Sequence, residues 1–309
     1  MKKRILITGG TGLIGKRIVS ELCSQGAFVK ILTRDISKVK SMFPKNFTIE
    51  AYNLDDYKTP LLLKKIIEET DVIINLAGAN VGEKRWTEEF KSEIYNSRID
   101  ITKLLVDAVK LSENKPECII TSIGVGIYGF RGDEIINEES ESGDDFLANV
   151  CVDWEAEAMK ASEYGVRVVS LRTGIVLDKN EGALPKLLMP FKFFIGAYQG
   201  DGKQWFSWIH IDDIVNMLLF IIENENISGA INGTSPEPVT NKMLAEEIGK
   251  IKNTKLLIPV PSVILKIAVG EFAENLLTGQ KVIPVKAVKN GFEYKYPVLK
   301  EALLDLIKK

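Results

Sequence analysis

Short apolar runs and longer amphipathic stretches alternate along the first 170 or so residues. Ile5, Leu6 and Ile7 form one such run, and others lie at 28–33, 47–52, 71–76, 117–121 and 166–171. Runs this short, apolar at consecutive positions, predict strands buried on both faces, as in a parallel sheet. Between them, helical spacing of apolar residues predicts helices over 13–25, 60–69, 87–113 and 149–163. Repeated strand–helix units of this length predict an α/β architecture with a Rossmann-type, doubly wound parallel sheet. Beyond residue 172 the rhythm loosens into a glycine- and proline-bearing segment (174–202), a strand and helix over 206–223, and helices near 240–251, 261–276 and 298–308. The predicted division is a Rossmann domain over 1–172, with returning segments from about 206–235, and a smaller mixed C-terminal lobe over 173–309.

The first strand runs directly into Thr8-Gly9-Gly10-Thr11-Gly12-Leu13-Ile14-Gly15. Gly9 permits a tight turn, Gly12 leaves no side chain between backbone and an incoming pyrophosphate, and Gly15 lets the helix pack against the strand. The N–H groups from Thr11 to Ile14 then face phosphate oxygens at a helix N-terminus. The expected ligand is a dinucleotide. Its type turns on the end of the second strand, where NAD-selective sites carry an acid for the ribose 2′-hydroxyl. Here Thr33 is followed by Arg34, with Ser37 and Lys38 one turn on. A guanidinium beside a hydroxyl suits a 2′-phosphate, so NADP is the expected cofactor. Asp35 is expected to cap the next helix instead.

Composition narrows the class. The 309 residues are 45% hydrophobic and 27% charged, as in an ordinary globular enzyme. A net charge of −2 gives no reason to expect nucleic acid or an anionic membrane as partner. Cys23, Cys118 and Cys151 are odd in number and lack metal-ligand spacing, and His210 is the single histidine, so no metal site is expected. Unpaired thiols fit a reducing cytoplasm. The basic Met1-Lys2-Lys3-Arg4 is followed by too few apolar residues for a signal peptide. Lys266, Pro259 and Pro261 break the apolar stretch 256–269, arguing against a membrane span.

With these residues in hand, the chain resembles the extended short-chain dehydrogenase/reductases through TGGTGLIG, INLAG at 74–78, IYG at 127–129 and WIHIDD at 208–213. More narrowly, KRW at 84–86, NSR at 96–98, CVDWE at 151–155, LRTGIVL at 171–177 and GQKVIP with GF at 279–292 resemble the sugar-nucleotide epimerase-like branch with its own C-terminal domain. The resemblance implies cofactor contacts from Gly9, Thr11, Gly12, Leu13, Ile14, Gly15, Thr33 and Arg34, and from Leu76, Ala77 and Gly78 after the fourth strand. It also exposes departures. Where the family places a tyrosine and, four residues on, a lysine that lowers its pKa, this chain has Cys151 and Glu155. The hydroxyl partner is displaced to Thr121 and Ser122, with Ile123 and Gly124 near its slot. An asparagine and an arginine that bind nucleotide-sugar phosphates in relatives are replaced by Ile175 and Phe206.

Replacement chemistry is expected from Tyr128 as an acid, Glu155 as a proton donor raised by burial, and Arg98 or Lys84-Arg85-Trp86 as positive charge. Each has a packing alternative: Arg98 pairing with Glu93 or Asp100, and Trp154 with Glu155 fixing the helix start. Trp205, Phe206 and Trp208, with Met189, Phe191, Phe193 and Phe194, read either as an apolar pocket or as small-lobe packing. His210 is expected to be structural. Two functions stay open: an NADP-dependent oxidoreductase or epimerase-like enzyme acting on a small apolar or anionic molecule, and a non-catalytic NADP(H) sensor. The protein is expected to be a monomer or homodimer.

Overall fold

The computed structural model describes residues 3–308. Seven parallel strands build the central sheet: β1 (Arg4–Thr8), β2 (Phe28–Thr33), β3 (Ile49–Asn53), β4 (Val72–Asn75), β5 (Cys118–Gly124), β6 (Arg167–Thr173) and β7 (Gly229–Gly233). Their spatial order is β3-β2-β1-β4-β5-β6-β7, so the chain winds outward from β1 in both directions. The reversal between β1 and β4 opens a crevice at the strands' carboxyl ends, where ligands bind in such sheets.

Alternation within the strands sorts the helices onto two faces. Ile5 and Ile7 of β1 join one core with Ile18, Val19 and Leu22 of helix α1 (Leu13–Ser24). Leu6 enters the opposite core with Leu63 of α3 (Pro60–Glu68) and Leu105 of α4 (Glu88–Leu111). Between α1 and α3 lies α2 (Ile36–Met42), whose N-terminus is capped by Asp35 accepting from the Lys38 N–H at 3.1 Å. Helix α5 (Phe146–Met159) begins three residues earlier than the apolar spacing indicates, because Asp145 accepts from the Ala148 N–H at 2.9 Å and sets the first turn there. Trp154 and Glu155 therefore sit in mid-helix and do not fix its start. Helix α6 (Ile211–Glu223) covers the α1 face, and β7 returns from it to the edge of the sheet.

The smaller lobe is irregular. Ile195–Gln199 pairs in parallel with Leu256–Val260, and Trp205–Phe206 pairs with Val239–Thr240. Helices α7 (Asn241–Lys252) and α8 (Ser262–Val269) complete it with a short helix at Ala273–Leu277, while α9 (Leu299–Lys308) packs back onto the large core. Among the described residues, no helix is long and apolar enough to cross a membrane.

Candidate functional site

The glycine loop divides into two sterically locked positions and one open position. Gly9 has φ +67°, and a Cβ there would lie 2.6 Å from the Leu76 carbonyl oxygen. A Cβ on Gly15 would lie 2.1 Å from the Gly9 oxygen, so α1 and the turn touch backbone to backbone. Gly12 differs: its Cβ would meet only the Gly9 oxygen, at 3.3 Å, and otherwise points into free space. The Gly12 N–H closes the turn on Gly9 O at 3.0 Å, and Lys16 N–H makes the first intrahelical bond, to Gly12 O at 3.0 Å. Leu13, Ile14 and Gly15 thus have no intrahelical acceptor, and Gly12 has no side chain to cap them. That is a cradle for an anion with the helix dipole behind it.

The second side of the crevice is the turn after β4. Leu76 N–H donates to Thr8 O at 3.2 Å, and Ala77 N–H to Thr8 Oγ1 at 3.3 Å. A chain of buried bonds supports that turn from behind. Thr8 donates to Asn75 Oδ1 (2.6 Å), while Asn75 Nδ2 and Trp154 Nε1 both donate to Thr102 Oγ1 (2.8 Å each). At the end of β2, Thr33 Oγ1 accepts from Asp35 N–H at 3.1 Å. Capping α2 occupies Asp35, and hydrogen bonds from Ser37 and from the Lys38 N–H hold its carboxyl below the usual range. Arg34 is exposed beside it.

Of the residues expected to replace the tyrosine–lysine pair, Tyr128 and Glu155 share one partner, Arg172, and their polar atoms are taken up inside the protein. Tyr128 is fully buried. Its hydroxyl donates to Asn232 Oδ1 at 2.7 Å and accepts from Arg172 Nη1 at 2.9 Å. Burial pushes its pKa up, against the opposing pull of Arg172. Glu155 holds Arg172 in a two-pronged ion pair, with Nη2 at 2.8 Å and Nε at 3.0 Å. Burial works against the guanidinium charge, and Glu155 with Tyr128 outweighs it, leaving the Arg172 pKa raised. The network extends to Glu138, whose carboxylate accepts from the N–H groups of Asn232 and Lys286. Glu155, expected at the slot of the family's lysine, is matched by an arginine from β6. Arg172 stands in the LRTG segment, but its partner lies on another element, so spacing did not disclose the pair.

Arg98 pairs with neither Glu93 nor Asp100. Its Nη1 donates to Ile94 O at 2.8 Å and its Nη2 to Ala79 O at 3.0 Å, and the guanidinium lies 5.2 Å from the Trp154 ring centre. A Cβ on Gly78 would fall 2.9 Å from Arg98 Cζ, so the arginine clamps the turn that carries Gly78. Cys151 is buried on α5, and burial pushes its thiol up to about 11. Lys84 faces Glu93 at 3.6 Å, Arg85 donates to Ile267 O at 3.0 Å, and Trp86 packs on Phe146 and Phe272. Arg85 and Trp86 thus fasten the loop after β4 to the small lobe, while Lys84 turns toward α4. His210 caps α6 by accepting from Asp212 N–H through Nδ1, its ring 3.9 Å from that of Tyr296.

Two hydroxyls remain at the rim. Ser122 of β5 and Thr173 of β6 are half-buried at the carboxyl ends of adjacent strands, with their oxygens 2.9 Å apart. Thr173 lies opposite Gly124 in the β5–β6 register, diagonal to Ser122 two residues earlier, a juxtaposition that sequence spacing does not disclose. The aromatic cluster divides: Phe191, Phe206 and Trp208 belong to the core, whereas Met189, Phe193 and Phe194 are exposed.

Comparison with known proteins agrees with this architecture. Residues 5–232 match the NAD dependent epimerase/dehydratase family, and residues 260–306 match a domain of unknown function, DUF1731. The chain is 39% identical over 303 residues to "Epimerase family protein SDR39U1 homolog, chloroplastic" of Arabidopsis thaliana, covering 97% of this chain and 85% of that protein. It is 36% identical to "Epimerase family protein YfhF" of Bacillus subtilis, covering 98% and 97%. Among solved structures, human epimerase family protein SDR39U1 (isoform2) with NADPH superposes with a TM-score of 0.87 at 31% identity, covering 99% of each chain. This chain belongs to the NAD dependent epimerase/dehydratase family.

Proposed function

We propose that this chain binds NADP(H) along the crevice between β1 and β4 and acts on a small apolar or anionic molecule as an oxidoreductase or epimerase-like enzyme. The observation that carries the reading is the open side of Gly12 between two glycines that admit no side chain. In that reading the N–H groups of Leu13 to Gly15 hold the pyrophosphate, and Arg34 beside Thr33 takes the 2′-phosphate. Asp35 does not compete for the ribose, because its carboxylate is engaged as a helix cap. The human relative whose structure contains NADPH supports the same cofactor choice. Bound NADP(H) supplies or accepts a hydride. The chain's own contribution at the reacting end comes from Ser122 and Thr173, the hydroxyl pair at the sheet rim, in a location expected to be cytoplasmic.

A specific observation also favours the second reading, an NADP(H) sensor without turnover. Tyr128, Glu155 and Arg98 all have their polar atoms committed to internal partners. Titration with NADPH and NADH, followed by calorimetry, tests the shared premise: tighter NADPH binding is expected, and equal curves overturn it. Oxidation or reduction of bound cofactor in the presence of small carbonyl or alcohol substrates then separates the two. Turnover that falls in Ser122→Ala supports the enzyme, and none across a broad panel supports the sensor.

A further inference from the structure

A net charge of −2 averages over an uneven distribution. Residues 182–200 and 248–270 contain no aspartate or glutamate, yet carry Lys186, Lys192, Lys250, Lys252, Lys255 and Lys266, all exposed. The fold brings these two stretches together, because Ile195–Gln199 and Leu256–Val260 form a parallel pair in which Ile195 lies opposite Leu256 and Ala197 opposite Ile258. One face of that pair is packed: a Cβ on Gly196 would lie 2.1 Å from Leu257 and 2.8 Å from the Phe191 ring. The other face presents Ile195, Leu256 and Ile258 to solvent.

The apolar surface continues at both ends. Phe193 and Phe194, immediately before Ile195, are 73% and 79% exposed, and Phe194 is held at φ +61°. A bulky side chain in that conformation is costly for the backbone, and here it carries an aromatic ring outward. Beyond Val260, helix α8 has no buried residue; Val263, Ile264 and Ile267 stand exposed beside Lys266. Lys192, Lys255 and Lys266 directly adjoin the exposed apolar positions along the chain, whereas Lys250, paired with Glu247 at 2.9 Å, lines a groove with Lys300 and Lys308 of α9.

We propose that this face of the small lobe, centred on Phe193, Phe194, Leu256 and helix α8, docks onto an anionic lipid surface. Charge complementarity selects the occupant. Exposed apolar patches of this extent mark interaction sites. Phenylalanine and branched aliphatic side chains insert at the boundary between headgroups and acyl chains, while flanking lysines meet anionic headgroups. Helix α8 has eight residues and lies on the surface of the lobe, which suits interfacial contact rather than crossing. The loop after β4 reaches the same helix, with Arg85 donating to Ile267 O. Docking would therefore bring the loop after β4 close to the bilayer.

The test is co-sedimentation of the full chain with vesicles of phosphatidylcholine alone and with about 30% phosphatidylglycerol. Binding to the anionic vesicles is expected to exceed that to neutral ones by about tenfold, and to weaken in about 0.5 M salt. The double substitution Phe193→Ser with Phe194→Ser should lower it by about tenfold. Both side chains are exposed, so NADPH titration of the double variant should match the parent and report an intact fold. No binding to anionic vesicles overturns the proposal, as does equal binding by parent and double variant. A concentration-dependent dimer seen by light scattering, dissolved by the double substitution and without vesicle binding, would assign the face to a second copy of this chain. The NADPH titration of the parent stands apart from all these outcomes, so a failed lipid assay leaves the cofactor reading intact.

Discussion

Glu155→Gln isolates the contribution of the ion pair between Glu155 and Arg172. The substitution keeps the shape of the side chain and removes one charge, leaving the Arg172 guanidinium without its two-pronged carboxylate partner. The two side chains are 20% and 10% exposed, so water screens the orphaned charge only partly. Removing one member of a buried pair costs about 3–5 kcal/mol, and partial exposure places this one near the lower end, about 3 kcal/mol. With an unfolding entropy of about 2.1 cal/mol/K per residue over the chain, that corresponds to a melting temperature lower by about 5 °C. Urea denaturation followed by circular dichroism measures the first quantity, and scanning calorimetry the second. Glu155→Lys would set an ammonium against Arg172 and should cost more than the glutamine. A loss below about 1 kcal/mol for Glu155→Gln would refute the assigned role, because exposed pairs contribute no more than that. So would a stable Glu155→Lys protein with gained turnover, which would return this position to proton relay.

The glycine loop should respond position by position. Gly12→Val is expected to fold and to lose dinucleotide binding in calorimetry, whereas Gly15→Ala should lower thermal stability, since its Cβ would fall 2.1 Å from the Gly9 oxygen. Arg34→Ala should remove about 1–3 kcal/mol of the preference for NADPH over NADH, the difference of two titrations, with little change in NADH affinity. Thiol reactivity should be slow in the native protein: burial pushes Cys23, Cys118 and Cys151 each up to about 11, so at pH 7 almost no thiolate is present. Alkylation should accelerate as pH rises toward that value, and rapid native labelling of Cys151 at pH 7 would contradict its placement. Arg98→Lys cannot hold Ala79 O and Ile94 O together as the planar guanidinium does, and it should weaken cofactor affinity by about tenfold through the loosened turn.

Much of the scaffold was determined by local sequence alone. The short runs at Ile5-Leu6-Ile7 and 28–33, bounded by turn residues, read as strands buried on both faces, and glycines at the spacing of Gly9, Gly12 and Gly15 directly after such a run specify a strand–turn–helix junction. Asp35 declares a helix cap through its own position in the chain. These features depend on neighbours within a few residues, where backbone sterics and periodicity act. The candidate chemistry was not decided there. Tyr128, Glu155 and Arg98 are reactive side chains by type, and only packing shows that each already has its partner: Asn232, Arg172 and the Ala79 carbonyl. Arg172 reaches Glu155 across 17 positions and Tyr128 across 44, separations at which sequence spacing carries no geometric information. Ser122 meets Thr173 through strand register, and the lysine-bounded apolar face arises because a parallel pairing joins segments some sixty residues apart. Local sequence sets which conformations the backbone favours; which charges are cancelled and which surfaces stay open follows from long-range contacts, and only the tertiary structure supplies those.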